Sequence, residues 1–125
     1  VWEAFMYASG KNVDNIIATI DYNQKQIDGS LEEVLPMGDL KAKLEAFDWR
    51  VLEEKEGNNV KAVINILNEA KELSGNGKPI AIIMHTEMGN GVDFMMGTHK
   101  WHGSAPNDEQ LAVALAQNPV TLGDY

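Results

Sequence analysis

The stretch from Ile16 to Gly29 constrains the fold of this chain more than any other part of the sequence. Its first half, 16–20, is a short apolar run rich in β-branched residues, which predicts a buried strand. The second half turns polar at once, and Asp28-Gly29 predicts a tight turn. Because open α/β sheets bind ligands beyond the carboxyl ends of their strands, Asn23 stands where such a sheet would hold a ligand.

Asn23 has two interpretations. Its side-chain oxygen, with the backbone carbonyl two residues on at Lys25, would offer neutral oxygen donors of the kind that suit Mg²⁺ or Ca²⁺. A metal held this way keeps positive charge for an anion such as a diphosphate. The alternative is that Asn23 caps the strand end through local hydrogen bonds, which is common for asparagine. Spacing alone leaves both open.

Two further strands are predicted, at Trp49–Leu52 and at the continuous apolar run Ile80–Met84. Helical patterns separate the predicted strands from one another. Strands separated by helices favour parallel pairing through right-handed crossovers. The sequence therefore predicts an α/β fold with a mostly parallel, layered sheet.

The first predicted helix covers Val1–Ser9 and ends at Gly10. Its apolar character predicts that it is buried. Glu3 is then the unusual residue, since a buried carboxylate needs a partner or a raised pKa. The alternative is that the Glu3 side chain faces solvent.

Three more helices are predicted from capping residues and apolar spacing. They begin after Asp39, after Asn58-Asn59, and after Asn107, where Gln110 completes a capping box. The segment 30–38 is predicted to be irregular. Five residues form the predicted apolar stripe of the longest helix: Val60, Val63, Ile64, Leu67 and Ala70.

The composition argues against two classes of binding partner and favours one cellular compartment. A net charge of −9 argues against nucleic acid and anionic membranes, since both favour a basic face. The absence of cysteine removes disulfides and thiolate ligands and is easiest to reconcile with a cytoplasmic protein. No apolar run reaches membrane-spanning length. The chain begins without Met, already in a helical pattern, so we expect it to be a fragment.

The stretch His85–Gly103 holds all three histidines of the chain and little secondary-structure signal. A loop of this length in a compact domain is typically functional or disordered. His99 and His102 are three residues apart, with His85, Glu87 and Asp93 as further zinc ligands, but zinc sites favour more regular spacing.

Other patterns in the same stretch suggest a nucleotide site, a nucleophile or a catalytic histidine. The Gly89–Gly91 segment follows a strand but lacks the third glycine of a dinucleotide-binding turn, so its glycines more simply allow a turn or close approach. No nucleophile elbow surrounds Ser104. His102 is either a surface histidine or a group that donates hydrogen bonds or moves protons beside a diphosphate or carbonyl substrate.

Three separated motifs resemble the thiamine-diphosphate domain of transketolase. They are Val1–Ala4, then Asp21–Asn23 with Gln26–Gly29, then Trp101–Asn107. Their order and spacing are most similar to the amino-terminal section of split bacterial transketolases. The resemblance implies a three-layer thiamine-diphosphate-binding fold, truncated at its start, with residues 1–125 as the carboxyl-side part of the domain that binds the diphosphate end of the cofactor.

The resemblance also implies roles for individual residues. Asn23 matches the metal-ligand asparagine, and Lys25 matches the residue whose backbone carbonyl binds the metal. Ile27 matches a residue near the cofactor. His102 matches the histidine close to the diphosphate and the reacting substrate. Glu3 matches a glutamate at the interface between protomers, which implies a homo-oligomer formed through its helix.

The implied parent reaction is transfer of a two-carbon ketol unit between sugar phosphates with thiamine diphosphate and Mg²⁺ or Ca²⁺. The family's Gly-Asp-Gly motif, expected before Val1, is absent from the sequence. The carboxyl-terminal section, which grips the aminopyrimidine, is absent too, so the chain alone is expected to be inactive. Two alternatives are another thiamine enzyme, such as deoxyxylulose-phosphate synthase, and a non-catalytic interaction module.

Overall fold

The computed structural model describes residues 1–119, which fall into two units. Val1–Asn23 and Met37–Thr86 form the first unit; Gln24–Pro36 and residues 87–119 form the second. The helices are α1 (Trp2–Gly10), α2 (Leu31–Val34), α3 (Leu40–Ala46), α4 (Val60–Leu73) and α5 (Asp108–Gln117). The strands are β1 (Ile17–Asp21), β2 (Lys25–Gln26), β3 (Gly29–Ser30), β4 (Arg50–Glu54) and β5 (Ile80–Met84).

The first unit is organised around a parallel sheet in the order β1-β5-β4. Met84 at the end of β5 pairs with both Asp21 and Glu54, so all three strands end at the same edge. The central strand β5 is buried from Ile80 to Ile83. The predicted parallel α/β sheet is therefore confirmed, and so are the positions of its three strands.

Helices cover both faces of this sheet. On one face, which we call the α1/α3 face, Ala81 and Ile83 of β5 pack in a buried cluster with Ala8, Leu44 and Trp49. The indole Nε1 of Trp49 also donates to the backbone carbonyl of Phe5 at 2.9 Å. This hydrogen bond ties α1 to the residue that precedes β4.

Helix α4 covers the other face, which we call the α4 face. There Ile80 and Ile82 of β5 form a second buried cluster with Ile66 and Ala70 of α4. Successive residues of a strand point to opposite faces, which explains why the even-numbered and odd-numbered residues of β5 join different clusters. The first unit thus has the predicted three layers, helix, sheet and helix.

Local capping chemistry agrees with the sequence at several helix ends. The Asp39 side chain accepts from the amide of Ala42 at 2.8 Å, and Asn59 caps α4. Asn107 and Gln110 form the predicted reciprocal capping box of α5. Asp48, which follows α3, has a φ of +64°, a conformation that Asp tolerates better than most residues.

The prediction that 30–38 is irregular is wrong at its start. Residues Leu31–Val34 form the one-turn helix α2, which has a capping box: Glu33 N donates to Ser30 Oγ at 3.2 Å, and Ser30 N donates to Glu33 Oε2 at 3.2 Å. A two-residue hairpin, β2–β3, precedes it, and its turn falls at Ile27-Asp28 rather than at Asp28-Gly29. Reciprocal side-chain bonds satisfy the helix start and stabilise a helix too short to form by propensity alone.

The predicted burial of α1 is wrong, and the predicted apolar stripe of α4 is only partly buried. Helix α1 has only Ala8 buried among its residues, while Met6 and Tyr7 are exposed, and Glu3 is exposed as well. In α4 the buried residues are Ile66 and Ala70, whereas four of the five predicted stripe positions are not buried.

No helix within residues 1–119 has the length and apolarity needed to cross a membrane.

We predict that Leu44→Ala destabilises the first unit by about 2–5 kcal/mol, because it empties a fully covered site in the α1/α3 cluster. Leu115→Ala is the matched control, since Leu115 lies on α5 with 59% of its surface exposed, and we expect its cost to stay within about 0.5 kcal/mol. Urea unfolding of both variants measures the difference. Equal costs would contradict the assignment of the core.

Candidate functional site

The carboxyl ends of β1 and β5 bring Asp21, Asn23 and Thr86 together in the first unit. The amide of Tyr22 donates to the carbonyl of Met84 at 2.8 Å, which continues the strand pairing past the end of β1. The Asp21 carboxylate accepts from Asn23 Nδ2 at 3.0 Å through Oδ2 and from Thr86 Oγ1 through Oδ1. The nitrogen of the Asn23 carboxamide therefore faces Asp21, and its Oδ1 is turned away from that carboxylate.

This geometry bears on the two interpretations of Asn23. A local hydrogen bond of the kind expected for a strand cap is present, and the nitrogen makes it. Metal binding would need the oxygen, because a hard cation is bound by oxygen atoms. The observed hydrogen bond uses the nitrogen and not the oxygen, so the two interpretations are compatible.

The α1/α3 face carries a different polar group at the same edge. His85 Nε2 lies 2.7 Å from Glu53 Oε1, and Lys55 Nζ lies 2.5 Å from the same oxygen and 3.1 Å from His85 Nε2. Hydrogen bonds from Lys55 and then His85 hold the pKa of the Glu53 carboxyl below its ordinary value. The ring of Tyr22 packs edge-on against His85 with centroids 5.4 Å apart.

This cluster was not predicted from sequence, where His85 was considered only as a possible zinc ligand. The signal was present in the alternation of the strands, since Glu53 and Lys55 are two residues apart and share a face. What was missing was the register that places β4 beside β5. The cluster stabilises the sheet edge with charged groups on one face, while Asp21, Asn23 and Thr86 occupy the other.

In the second unit, the segment after Asn23 forms a tightly bonded loop. The amide of Leu31 donates to the carbonyl of Gln24 at 3.0 Å, and Lys25 pairs with Ser30 across the hairpin. Gln24 has a φ of +62°, so the chain takes a left-handed step immediately before Lys25. Backbone bonds rather than side-chain packing therefore fix the direction of the Lys25 peptide.

Gln26 in this loop has a feature that points to a missing ligand. Its Nε2 is fully buried yet has no hydrogen-bond partner. Buried donors are almost always paired, and leaving one unpaired is costly, so such an atom calls for an explanation such as an absent molecule. The Gln26 amide nitrogen is therefore suited to an acceptor atom that the protein itself does not supply.

The hairpin and the histidine loop come close to each other within the second unit. Hydrogen bonds from the hydroxyl and the amide of Ser30 lower the pKa of Glu33, and the charges of Lys25 and His99 lower it further. Lys25 and His99 thus both lie near the Glu33 carboxylate. The amide of His102 donates to the carbonyl of His99 at 3.1 Å, which places His102 one turn farther along, with its side chain exposed.

The loop between β5 and α5 is fixed by its own hydrogen bonds. The amide of Gly97 donates to Glu87 Oε1 at 2.7 Å. Trp101 Nε1 donates to the carbonyl of Phe94 at 2.9 Å, and the two rings pack with centroids 5.1 Å apart. The segment preceding His102 is therefore a loop closed and packed by its own side chains.

The end of α5 anchors the same loop. Gln117 Oε1 accepts from the amide of Asp93 at 2.9 Å, and its Nε2 donates to Asp93 Oδ2 at 3.3 Å. Asn118 Nδ2 donates to the carbonyl of Gly91 at 2.9 Å. Helix α5 has no buried residue, so these side-chain bonds are a large part of what ties it to the loop.

The predicted site residues are thus divided between the two units. Asn23 ends the first unit, whereas Lys25, Ile27 and His102 belong to the second, where Ile27 and His102 are exposed. Within residues 1–119, no group of three or more His, Cys, Asp or Glu side chains is arranged to hold a metal ion, so the zinc interpretation gains no support.

Comparison with known proteins decides the family. A family model described as "Transketolase, thiamine diphosphate binding domain" matches residues 1–119. The chain belongs to the transketolase family. The resemblance noted in the three sequence motifs is therefore confirmed over the whole described part of the chain.

Individual transketolases agree with this assignment. The 6-deoxy-6-sulfo-D-fructose transketolase subunit SqwG of Clostridium sp. is 35% identical over 94% of this chain and 42% of its own length. An apulose-4-phosphate transketolase subunit of Phocaeicola vulgatus is 35% identical over 94% of this chain and 41% of its own length. The chain therefore spans about two fifths of the length of these relatives.

A solved transketolase structure has the same fold. The crystal structure of transketolase from Campylobacter jejuni matches 94% of this chain and 18% of its own with a TM-score of 0.83 and 28% identity. The predicted fold class, a transketolase-like α/β fold with a parallel sheet, is confirmed.

We predict that Gly89→Ala disrupts the loop that leads to His102. Gly89 has a φ of +73°, and an added Cβ would lie 2.8 Å from the backbone carbonyl carbon of Met95. Gly97→Ala is the matched control, because Gly97 has a φ of +71° but nothing within 4 Å of the added atom. We expect the control to lose about 1 kcal/mol from backbone strain and Gly89→Ala to lose clearly more.

Hydrogen exchange of the amides in 87–106, together with thermal unfolding, measures this difference. Equal protection in the two variants would mean that the close approach of Gly89 to Met95 contributes nothing to the loop.

Proposed function

We propose that this chain is the carboxyl-side part, residues 1–125, of the thiamine-diphosphate-binding domain of a transketolase. The parent protein transfers a two-carbon ketol unit between sugar phosphates. The observation that supports this most directly is the orientation of Asn23 at the carboxyl end of β1, where its amide oxygen is turned away from Asp21. The names of the two relatives, both transketolase subunits, support the reaction class.

Asn23 Oδ1 and the backbone carbonyl of Lys25 are the proposed ligands of Mg²⁺ or Ca²⁺. Both are neutral oxygens, so a divalent cation that they bind keeps its positive charge for a diphosphate. The hairpin pairing of Lys25 with Ser30 supports the role of Lys25, because it holds the Lys25 backbone in one conformation within the second unit. The unpaired donor of Gln26, next to Lys25, is suited to an additional oxygen acceptor.

Thiamine diphosphate, when bound, supplies the carbanion chemistry of ketol transfer, and the protein supplies binding, orientation and electrostatics. Ile27 offers an exposed apolar side chain for the cofactor. His102 is the proposed catalytic residue. Its imidazole can donate a hydrogen bond to developing negative charge on the substrate, or carry a proton at a ring nitrogen.

The proposed partners are a carboxyl-terminal transketolase section, sugar-phosphate substrates and a second copy of the protein. The relatives named as subunits and the two-fifths coverage of their length support the first. The exposed Trp2, Met6 and Tyr7 on the helix of Glu3 support an interface at α1. We expect the chain alone to be inactive, and a cytoplasmic location stays a prediction.

We predict that Asn23→Ala weakens the metal-dependent binding of thiamine diphosphate by about tenfold or more, because it removes one metal ligand. The measurement is calorimetry of the full-length chain with its carboxyl-terminal section, titrated with the cofactor with and without Mg²⁺. Asn76→Ala is the control, since Asn76 caps the end of α4 through its own hydrogen bonds.

Two outcomes would contradict the proposal, the first in the calorimetry and the second in an activity assay of the same protein. Absence of Mg²⁺-dependent heat in the unmodified protein would favour a non-catalytic interaction module. Binding that requires Mg²⁺ but produces no ketol transfer between sugar phosphates would favour another thiamine enzyme, such as deoxyxylulose-phosphate synthase.

We predict that His102→Asn lowers kcat for ketol transfer by roughly 10²–10⁴-fold, the usual range for loss of a proton-transferring group. His99→Asn is the control: it lies three residues earlier in the same loop, near Glu33, and we expect a much smaller change. Steady-state kinetics with a ketose phosphate donor measures both. Equal effects of the two substitutions would remove His102 from the catalytic role.

A further inference from the structure

The two ends of an asparagine carboxamide are nearly the same size, but only the oxygen binds a hard cation. A metal site that uses Asn23 therefore needs something to determine which end faces the ion. The carboxylate of Asp21 lies 3.0 Å from Asn23 Nδ2, and a carboxylate has only acceptor atoms to offer. It accepts a hydrogen bond from the nitrogen but would repel the oxygen, so it distinguishes the two ends.

Asp21 is itself held in place from the neighbouring strand. The hydroxyl of Thr86, just beyond β5, donates to the other carboxylate oxygen of Asp21. The parallel register explains this hydrogen bond. Asp21 lies opposite Met84, and residues 84 and 86 point to the same face. Each oxygen of Asp21 thus has one donor, and the carboxylate is held against rotation.

Thr86 is in turn packed against the loop that follows β4. The amide of Gly57 donates to the carbonyl of His85 at 2.8 Å, and a Cβ added to Gly57 would lie 2.8 Å from Thr86 Cγ2. Only glycine permits this approach, since the added atom would also lie 2.7 Å from the carbonyl oxygen of His85. The methyl group of Thr86 therefore faces Gly57 while its hydroxyl faces Asp21.

We propose that Asp21, held by Thr86, is a positioning residue that keeps Asn23 Oδ1 directed toward the metal ion. The proposal rests on the proposed function, because it assumes that Asn23 binds the cation. It assigns to Asp21 a role that does not require direct contact with the metal. Hydrogen-bond partners of metal ligands have this effect in general, and their loss costs metal affinity even when every ligand remains.

Two isosteric substitutions separate orientation from charge. Asp21→Asn removes the carboxylate and gives Asn23 a neighbour that can accept from its nitrogen or donate to its oxygen, so neither orientation is preferred. Thr86→Val leaves every charge and the packed methyl group in place and removes only the hydroxyl that holds Asp21. Thr86→Ser is the conservative variant, since it retains the hydroxyl.

The experiment measures Mn²⁺ binding by electron paramagnetic resonance in the full-length chain with its carboxyl-terminal section and saturating thiamine diphosphate. We expect Asp21→Asn to weaken Mn²⁺ binding by roughly 10–100-fold and Thr86→Val by about threefold to tenfold, with Thr86→Ser close to the unmodified protein. Thermal unfolding without metal should change little in all three, because Asp21 is exposed and the two changes at Thr86 alter the side-chain volume only slightly.

Asp14→Asn is the matched control. Asp14 precedes the other end of β1 and its carboxylate accepts from the amide of Gly77 at 3.0 Å, so the variant loses the same charge far from the candidate ligands along the strand. We expect unchanged Mn²⁺ affinity. Weakened binding in Asp21→Asn with unchanged binding in Thr86→Val would overturn the proposal and leave only a charge effect.

Unchanged Mn²⁺ affinity in both Asp21→Asn and Thr86→Val would likewise overturn the positioning role while leaving the proposed function intact. If the unmodified protein binds no Mn²⁺ with the cofactor present, the result contradicts the proposed function itself. The two failures are therefore distinguishable within one set of titrations.

Discussion

The pairing of β5 with a strand on each side is the interaction on which the rest of the first unit depends. Both pairings use the same residues of β5, from Ile80 to Met84, and both are parallel. This places the ends of three strands at one edge and distributes their side chains strictly between two faces. The buried clusters with α3 and α4 then cover both faces of β5, and the polar residues at its end extend the same alternation beyond the sheet.

Much of this architecture follows from local sequence. The run Ile80–Met84 predicts a buried strand. Asp39, Asn59 and Asn107 mark helix starts through capping chemistry that depends only on nearby residues. The left-handed conformation of Asp48 after α3 likewise depends on the type of that one residue. These features are predictable because the atoms that satisfy one another are within a few residues along the chain.

The failures of prediction have a different physical origin. The burial of Ile66 in α4, in place of Ile64 and Leu67, depends on how the helix is rotated against the sheet, which apolar spacing alone does not determine. Helix α2 was missed although its Ser-x-x-Glu pattern is present, because no apolar run follows to mark a helix. For the candidate site, Asn23 and Lys25 could be selected from sequence, but the bond from Thr86 to Asp21 joins residues 65 positions apart and needs the register.

The two faces of the sheet edge also have a consequence for how the strands tolerate insertions and deletions. Asp21 and Asn23 lie on one face and Tyr22 on the other, with the cluster of Glu53, Lys55 and His85. A slip of one residue in β1 would exchange these sets, turning an aromatic ring toward Thr86 and a carboxylate toward Glu53. We therefore expect length changes to be tolerated before β1 rather than within it, because the alternation along the strand separates the charge cluster from the candidate ligand Asn23.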